Sequence, residues 1–258
     1  MAIETEDLMD WATGHAVEVR RLYLARRLFQ ATGGVVQHGP LSGYNVGARA
    51  TWRAADDSAK ILGLYEQEVC ALLARLAGER TTLIDLGAAD GYYGVGLVAV
   101  GVYARSHCFE IVEESRQNLA ALAADHGVGD RVHIHGAATP GFMAELAAQG
   151  VEASDSVVLC DIESSEFEVL DEACLQSLTR AHLIVEIHDF MRGDGKAQYA
   201  RLLERASRLF EVTEIRTGAR DLSQIPLVSD HWTDNDRWLL CSESRAKLMS
   251  WLHLAPRS

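Results

Sequence analysis

LIDLGAADGYYG, residues 83–94, is an apolar run that ends in Asp85 plus one leucine, breaks into a glycine-bearing loop, and resumes as a helix-like pattern. This order predicts a strand, a tight turn and a helix N-terminus, with backbone N–H groups directed outward at the carboxyl edge of a parallel sheet. Gly87 is expected to let the chain turn, and Gly91 to let a ligand approach the backbone closely. A nucleoside-bearing cofactor is the expected occupant.

The spacing narrows the choice. A dinucleotide fingerprint needs G-x-G-x-x-G/A directly after the strand, but Ala89 and Tyr92 stand where glycines would be required. Gly94, Gly96 and Ala99 satisfy the formula only inside the following helix, where they read as packing positions. Asp85 would repel a pyrophosphate and favour a ligand carrying an ammonium group, as the methionyl end of S-adenosylmethionine does. A carboxylate closing the next strand would accept the ribose hydroxyl protons. SHCFEI at 106–111 supplies Glu110 about twenty residues on. Glu110 also reads, more simply, as an acidic start to the helix 113–126.

The 258 residues suffice for one elaborated α/β domain with a sizeable core. A net charge of −13 argues against nucleic acid as a partner, because phosphate neutralisation needs a basic surface. Cys70, Cys108, Cys160, Cys174 and Cys241 are scattered, odd in number and without zinc-finger or C-x-x-C spacing, which predicts reduced, mostly buried thiols. The acidic MAIETEDLMD lacks the order of a signal peptide, and the longest apolar stretch, near 95–104, is too short to span a bilayer. A cytoplasmic protein without membrane partners is the expectation.

Residues 4–31 read as a helix with Val17, Leu24 and Leu28 on one stripe and Arg20, Arg21, Arg26 and Arg27 on a solvated one. A glycine-rich irregular stretch follows to 58, and helical periodicity then stops at Gly78. This predicts an N-terminal extension, 1–78, acting as a cap or a packing or dimer element, ahead of one compact cofactor-binding unit over 79–258. From 81 onward strands and helices alternate: TTLIDL, helix from 92; SHCFEI, helix to 126; RVHIHG, helix 142–149; SVVLCD, helix 166–179; AHLIVEIH, helix 195–208. Five such units imply a parallel sheet covered on both faces. LFEVTEIRT and RWLLCSE are expected to add an antiparallel edge hairpin.

Ligands of such sheets sit beyond the strand carboxyl ends. There the fourth strand brings Asp161 and Glu163, and the fifth brings Glu186, His188 and Asp189. At these residues the chain resembles FkbM-type S-adenosylmethionine-dependent methyltransferases. DLGAADGYYG (85–94), FEIVEESRQNL (109–119), CDIESSEFEVL (160–170) and IVEIHDF (184–190) are similar to four blocks of that family, over roughly 62–190, with an echo in LGLYEQEV. Ala89 replaces an asparagine of the family's first block, and Ser164 a glycine of its acidic block. The resemblance implies a class I, Rossmann-like methyltransferase fold: seven strands, mostly parallel, the last antiparallel. It also implies methylation of a hydroxyl on a sugar or secondary metabolite. By position it implies that Asp85, Gly87, Ala88 and Gly91 line the methionyl and ribose part, that Glu110 holds the ribose hydroxyls, that Ala137 lies near the adenine and that Asp161 lies below the transferring methyl; Asp90, Tyr92 and Ile111 are also expected among the cofactor-binding residues.

A hydroxyl must share its proton with a base to attack a sulfonium methyl. His188 is the first candidate base, helped by Glu186 or Asp189, and Glu163 the second; His188 also reads as a histidine ending a buried strand. His133 and His135 read as structural. Asp161, His188 and Asp189 also read as ligands of a divalent metal, magnesium-like or transition. The segment 220–238, with His231, Trp232 and Asp234, reads as a substrate lid or a surface connector. Tyr44, Trp52 and Tyr65 read as an acceptor wall or as core. A noncatalytic cofactor-binding protein, an N-methyltransferase and an NAD-dependent oxidoreductase stay open as alternatives; a homodimer is also open.

Overall fold

The computed structural model describes residues 5–47, 57–228, 232–243, 245 and 249–257. They cluster into two compact units, residues 1–65 with 219–246, and 66–218 with 247–258.

The larger unit is built on one seven-stranded sheet. Its strands are β1 (Thr82–Leu86), β2 (Arg105–Phe109), β3 (Val132–His135), β4 (Ser156–Cys160), β5 (His182–Glu186), β6 (Phe210–Arg216) and β7 (Ser250–Pro256). The order is β3-β2-β1-β4-β5-β7-β6, with β1 to β5 parallel and β7 antiparallel to both neighbours. This is the expected class I methyltransferase-like arrangement. Every residue of β1 and β4 is buried, as a parallel sheet sandwiched between helices requires. One core packs Ile84, Leu86, Val158, Cys160, Leu183 and Val185 against Phe142, Leu146, Leu175 and Leu202. The lower edge is pinned by Asp155, which accepts from the Thr81 N–H at 2.9 Å and the Thr81 hydroxyl at 2.6 Å, holding β1 and β4 in register.

The antiparallel edge forms from a different segment than expected. RWLL of that segment, residues 237–240, belongs to the helix Asp234–Leu240, and the partner of β6 is β7, which runs between β5 and β6. The helix start is chemical: the Thr233 hydroxyl oxygen accepts from the Asp236 N–H at 3.3 Å, and Asp234 and Asp236 lie in the first turn. The helix after β1 is also shorter than its sequence pattern, Gly96–Ala99, preceded by turns at 92–95. The 166–179 helix is split into Glu166–Val169 and Glu172–Ser177.

The smaller unit packs Leu24 and Leu28 of the helix Thr5–Thr32 against Ile61, Leu62, Leu64, Ile225, Val228 and Leu240. One of that helix's four arginines is not solvated as expected. Arg21 is 1% exposed and donates to the Ser242 carbonyl at 2.6 Å. Arg20 makes a forked pair with Asp236 at 2.9 and 2.7 Å. Tyr44 is buried in this unit. Trp232 lies under the Arg27 guanidinium, 4.6 Å from ring centroid to charge. Trp52 and His231 lie outside the described residues. All five cysteines are buried, and burial pushes the Cys108, Cys160 and Cys174 thiols up.

Candidate functional site

The loop after β1 is held by its own neighbours. The N–H groups of Gly87 and Ala88 both donate to the Phe109 carbonyl, at 2.9 and 3.0 Å. The Ala89 N–H donates to Glu110 Oε2 at 3.0 Å, that of Gly91 to the Ala88 carbonyl at 2.8 Å, and that of Tyr92 to Asp90 Oδ1 at 3.2 Å. Contrary to expectation, these donors are turned inward. A loop whose amides are already used offers no cradle for a pyrophosphate, which counts against the dinucleotide alternative.

Gly87 has φ +91°, and a Cβ there would lie 1.8 Å from the Asp161 carbonyl oxygen. The β1 and β4 loops therefore touch backbone to backbone. Gly91, at φ +80°, would drive a Cβ into Leu119 at 2.8 Å. Its lack of a side chain makes room for the helix Glu113–Asp125. Ala89 takes a left-handed conformation (φ +44°), where the family's asparagine would be less strained.

Glu110, 8% exposed, bridges this loop and the next: besides Ala89, its Oε1 accepts from the Val112 N–H at 2.7 Å. Each oxygen keeps a second lone pair, so the carboxylate can still accept hydroxyl protons. Beside it Ile111 is 75% exposed, an apolar surface next to the loop, and Ala137 is also exposed. Arg116 braces the turn by donating to the Glu110 and Ile111 carbonyls at 2.7 and 2.8 Å. Ala88 and Tyr92 are buried.

Asp85 lies beneath the loop, 3% exposed. Burial, with the Asp161 charge adding to it, raises its pKa from 3.8 to about 7, although the Gly94 N–H donates to it. Gly94 makes that approach possible, since a Cβ would meet Cys108 Sγ at 2.3 Å and Asp85 Oδ2 at 2.8 Å. The reading of Gly94 as a packing position fits this.

The ends of β4 and β5 bring the remaining acidic residues around one imidazole. His188 has a side chain only 5% exposed, with Nε2 3.5 Å from Asp161 Oδ1, 3.5 Å from Glu186 Oε2 and 3.7 Å from Glu163 Oε2. On the other side, Glu166 Oε1 accepts the His188 backbone N–H at 2.9 Å and lies 3.5 Å from Nδ1. Burial alone would lower the His188 pKa. Hydrogen bonding to Glu166 and the charges of Asp161 and Glu163 outweigh it and raise the value. Asp189, expected beside this histidine, opens the 3-10 turn Asp189–Met191.

Glu166 was missed as a functional residue. It is the second glutamate of the acidic block and is fully buried, with Oε2 unpartnered. Its signal was available: a glutamate amid Phe167, Val169 and Leu170, where only a polar partner would justify burying it. Glu66 was missed as well. It is buried and left-handed (φ +43°), and accepts from the Tyr93 hydroxyl at 2.6 Å, which explains the echo at 62–69. Glu163 and Ser164 have φ of +52° and +78°, so a serine occupies a backbone conformation that suits the family's glycine. His133 and His135 stack with His107, centroids 4.8 and 5.4 Å away, and with the buried His107 form a packed ladder apart from the site.

No protein-family profile matches the chain, and no curated protein matches it. Solved structures do. The O-methyltransferase TomG from Streptomyces achromogenes, involved in tomaymycin synthesis and solved with S-adenosylmethionine, aligns at 16% identity over 92% of this chain and 90% of that one, TM-score 0.51. An O-methyltransferase from Bacillus cereus in complex with S-adenosylhomocysteine aligns at 11% identity over 90% of each chain, TM-score 0.48. The precorrin 8w decarboxylase of Methanobacterium thermoautotrophicum covers 73% of this chain and 89% of its own at 17% identity, TM-score 0.45. The likeness to TomG is one of fold. No helix among the described residues is long and apolar enough to cross a membrane.

Proposed function

We propose that the chain is an S-adenosylmethionine-dependent methyltransferase of FkbM type, transferring a methyl group to a hydroxyl of a small molecule such as a sugar or secondary metabolite. The observation that carries this reading is the meeting of two features at one sheet edge. A glycine turn is tied to Glu110, and a buried imidazole caged by carboxylates lies against it through the Gly87–Asp161 contact. Asp90 and Asp161 make the floor negative, and Asp85 can give up its proton beside a cation, which favours a sulfonium and ammonium-bearing nucleoside over a phosphate-bearing one. Glu110 accepts the ribose hydroxyls, with Ile111 and Ala137 flanking the adenine, and Gly87, Ala88, Gly91 and Tyr92 shape the turn around the methionyl part.

In the transfer, the acceptor oxygen forms a bond to the methyl carbon as the carbon–sulfur bond breaks, and sulfur keeps the electron pair. The hydroxyl proton leaves to His188 Nε2, with exposed Glu163 as the route onward to water. Glu166 fixes the ring, and Asp161 and Glu186 stabilise the imidazolium that results. His188→Asn is expected to leave binding of S-adenosylhomocysteine within about twofold and lower kcat by about 100-fold. Calorimetry and turnover on a panel of hydroxylated acceptors test the pair of effects. Unchanged turnover, or cofactor binding lost together with turnover, would refute the assignment.

One observation favours a second reading. Donor atoms of Asp161, Glu186 and His188 lie within 4.8 Å of one another, a set suited to a divalent ion that accepts both imidazole and carboxylate. Such an ion would act as a Lewis acid toward the acceptor oxygen. Activity surviving exhaustive chelation supports the histidine base, and activity lost and restored by manganese supports the ion.

A further inference from the structure

The turn that follows His188 sets an apolar surface beside the imidazole. Asp189–Met191 is the 3-10 turn after β5, and on it Phe190 and Met191 are 50% and 51% exposed, whereas the preceding Ile187 and His188 are buried. The Phe190 ring centroid lies 6.1 Å from that of His188, with the planes tilted by 44°. This exposure belongs to a braced turn. The Met191 N–H donates to the His188 carbonyl at 3.1 Å, and the Gly195 N–H to the Arg192 carbonyl at 3.1 Å. A Cβ at Gly195 would stand 1.7 Å from the Asp189 carbonyl oxygen, so the turn rests directly on the first residue of the helix Gly195–Leu209. Arg192 ties the same segment to Glu168 through a 2.8 Å hydrogen bond. Apolar side chains held out on such a turn present a preformed face, which a ligand can cover with little ordering cost.

Charge around the imidazole decides what can lie on that face. The carboxylates of Asp161, Glu163, Glu166 and Glu186 all stand within 3.7 Å of a His188 ring nitrogen. Asp161 and Glu163 are the two that solvent reaches, with side chains 31% and 49% exposed, while Glu166 and Glu186 are buried. An acceptor approaching Nε2 therefore meets two acids, with the Phe190 ring alongside. A carboxylate or phosphate on that acceptor would be repelled. A polyol would lose water from hydroxyls laid against Phe190 and Met191, which offer them no hydrogen bond in return. An uncharged ring bearing one hydroxyl meets both conditions: its apolar body stacks on Phe190 and packs on the Met191 thioether, and its hydroxyl reaches the imidazole. We infer that Phe190 and Met191 form the acceptor platform, and that the acceptor is an uncharged, mainly apolar ring alcohol instead of a sugar or an anionic compound. The inference rests on the proposed reading of His188 as the base.

The test is calorimetry on the full chain saturated with S-adenosylhomocysteine, in the presence of a chelator, with naphthol as the uncharged ring alcohol. Saturable binding is expected, about tenfold or more tighter than that of naphthoate or methyl glucoside under the same conditions. Phe190→Ser and Met191→Ser should each weaken naphthol about fivefold or more and leave S-adenosylhomocysteine binding within about twofold. Phe190→Leu, which keeps an apolar surface, should recover most of the loss. Both positions are half exposed, so the serine variants are expected to melt with the parent. If S-adenosylhomocysteine binds but naphthol does not saturate, binds no tighter than naphthoate or the glucoside, or is indifferent to both serines, the platform is overturned and the methyltransferase reading stands. A folded chain that fails to bind S-adenosylhomocysteine overturns that reading first, and the platform with it.

Discussion

Asp85 makes the free protein's stability depend on pH in a direction unusual for a carboxylate. Its pKa rises from 3.8 in the unfolded chain to about 7 in the fold, chiefly through burial. Between those values the folded state keeps a proton that the unfolded state releases, so stability falls as pH climbs from about 4 to 7 and levels off above. A gap of about three pH units at ~1.4 kcal/mol each puts the full penalty at about 4 kcal/mol. The wild-type curve alone would hide this. His107 and His253 are held neutral by burial with values of about 4, so they add stability as pH rises through the same window. Asp85→Asn isolates the term, since the amide keeps the shape and stays neutral. Urea unfolding at pH 5 and pH 8 is expected to show the variant's advantage growing by about 2–3 kcal/mol between them. An advantage that does not grow with pH would refute the assignment of a proton to Asp85. A cationic ligand should reverse the trend by drawing that proton off. Titration with S-adenosylmethionine near pH 6.5, in buffers of differing ionisation enthalpy, should then register proton release.

Ser164→Gly relieves a left-handed serine worth about 1–2 kcal/mol, against a glycine entropy cost of about 0.4–1. A stability gain of about 0.5–1 kcal/mol is expected from the urea midpoint, and a loss would show that the serine is wanted there. Gly94→Ala pushes a methyl into Cys108 Sγ and Asp85, and is expected to cost about 2–3 kcal/mol. Adding Cys108→Ala should recover part of it in the same melt, and no recovery would place the strain elsewhere. Glu110→Ala strands the Ala89 and Val112 N–H groups and should cost about 1–3 kcal/mol as well as at least tenfold in cofactor affinity. Glu110→Gln is expected to restore stability more than affinity, as measured by melting and calorimetry on one sample.

The parallel half of the sheet was legible because its strands are short, branched and buried on both faces, so each reads as a block between turn residues. The antiparallel half was not. Trp238, Leu239 and Leu240 look like a strand until the Thr233 cap is weighed, and Ser250–Pro256 alternates weakly because β7 is an interior strand with partners on both sides. At the site, strand-end carboxylates and His188 were visible because polar residues closing apolar runs stand out. Glu166 sits one helical turn further on, and only the fold reveals that its carboxylate reaches back to His188. The inward turn of the loop amides was equally invisible, since it depends on the Phe109 carbonyl from a strand twenty residues away.

The absence of a side chain at Gly87 leaves the β1 turn resting directly on the Asp161 carbonyl, with no compressible layer between them. Any side chain added at position 87 would have to part the two segments, so a substitution there is felt in the loop that carries Asp161 as much as in its own turn.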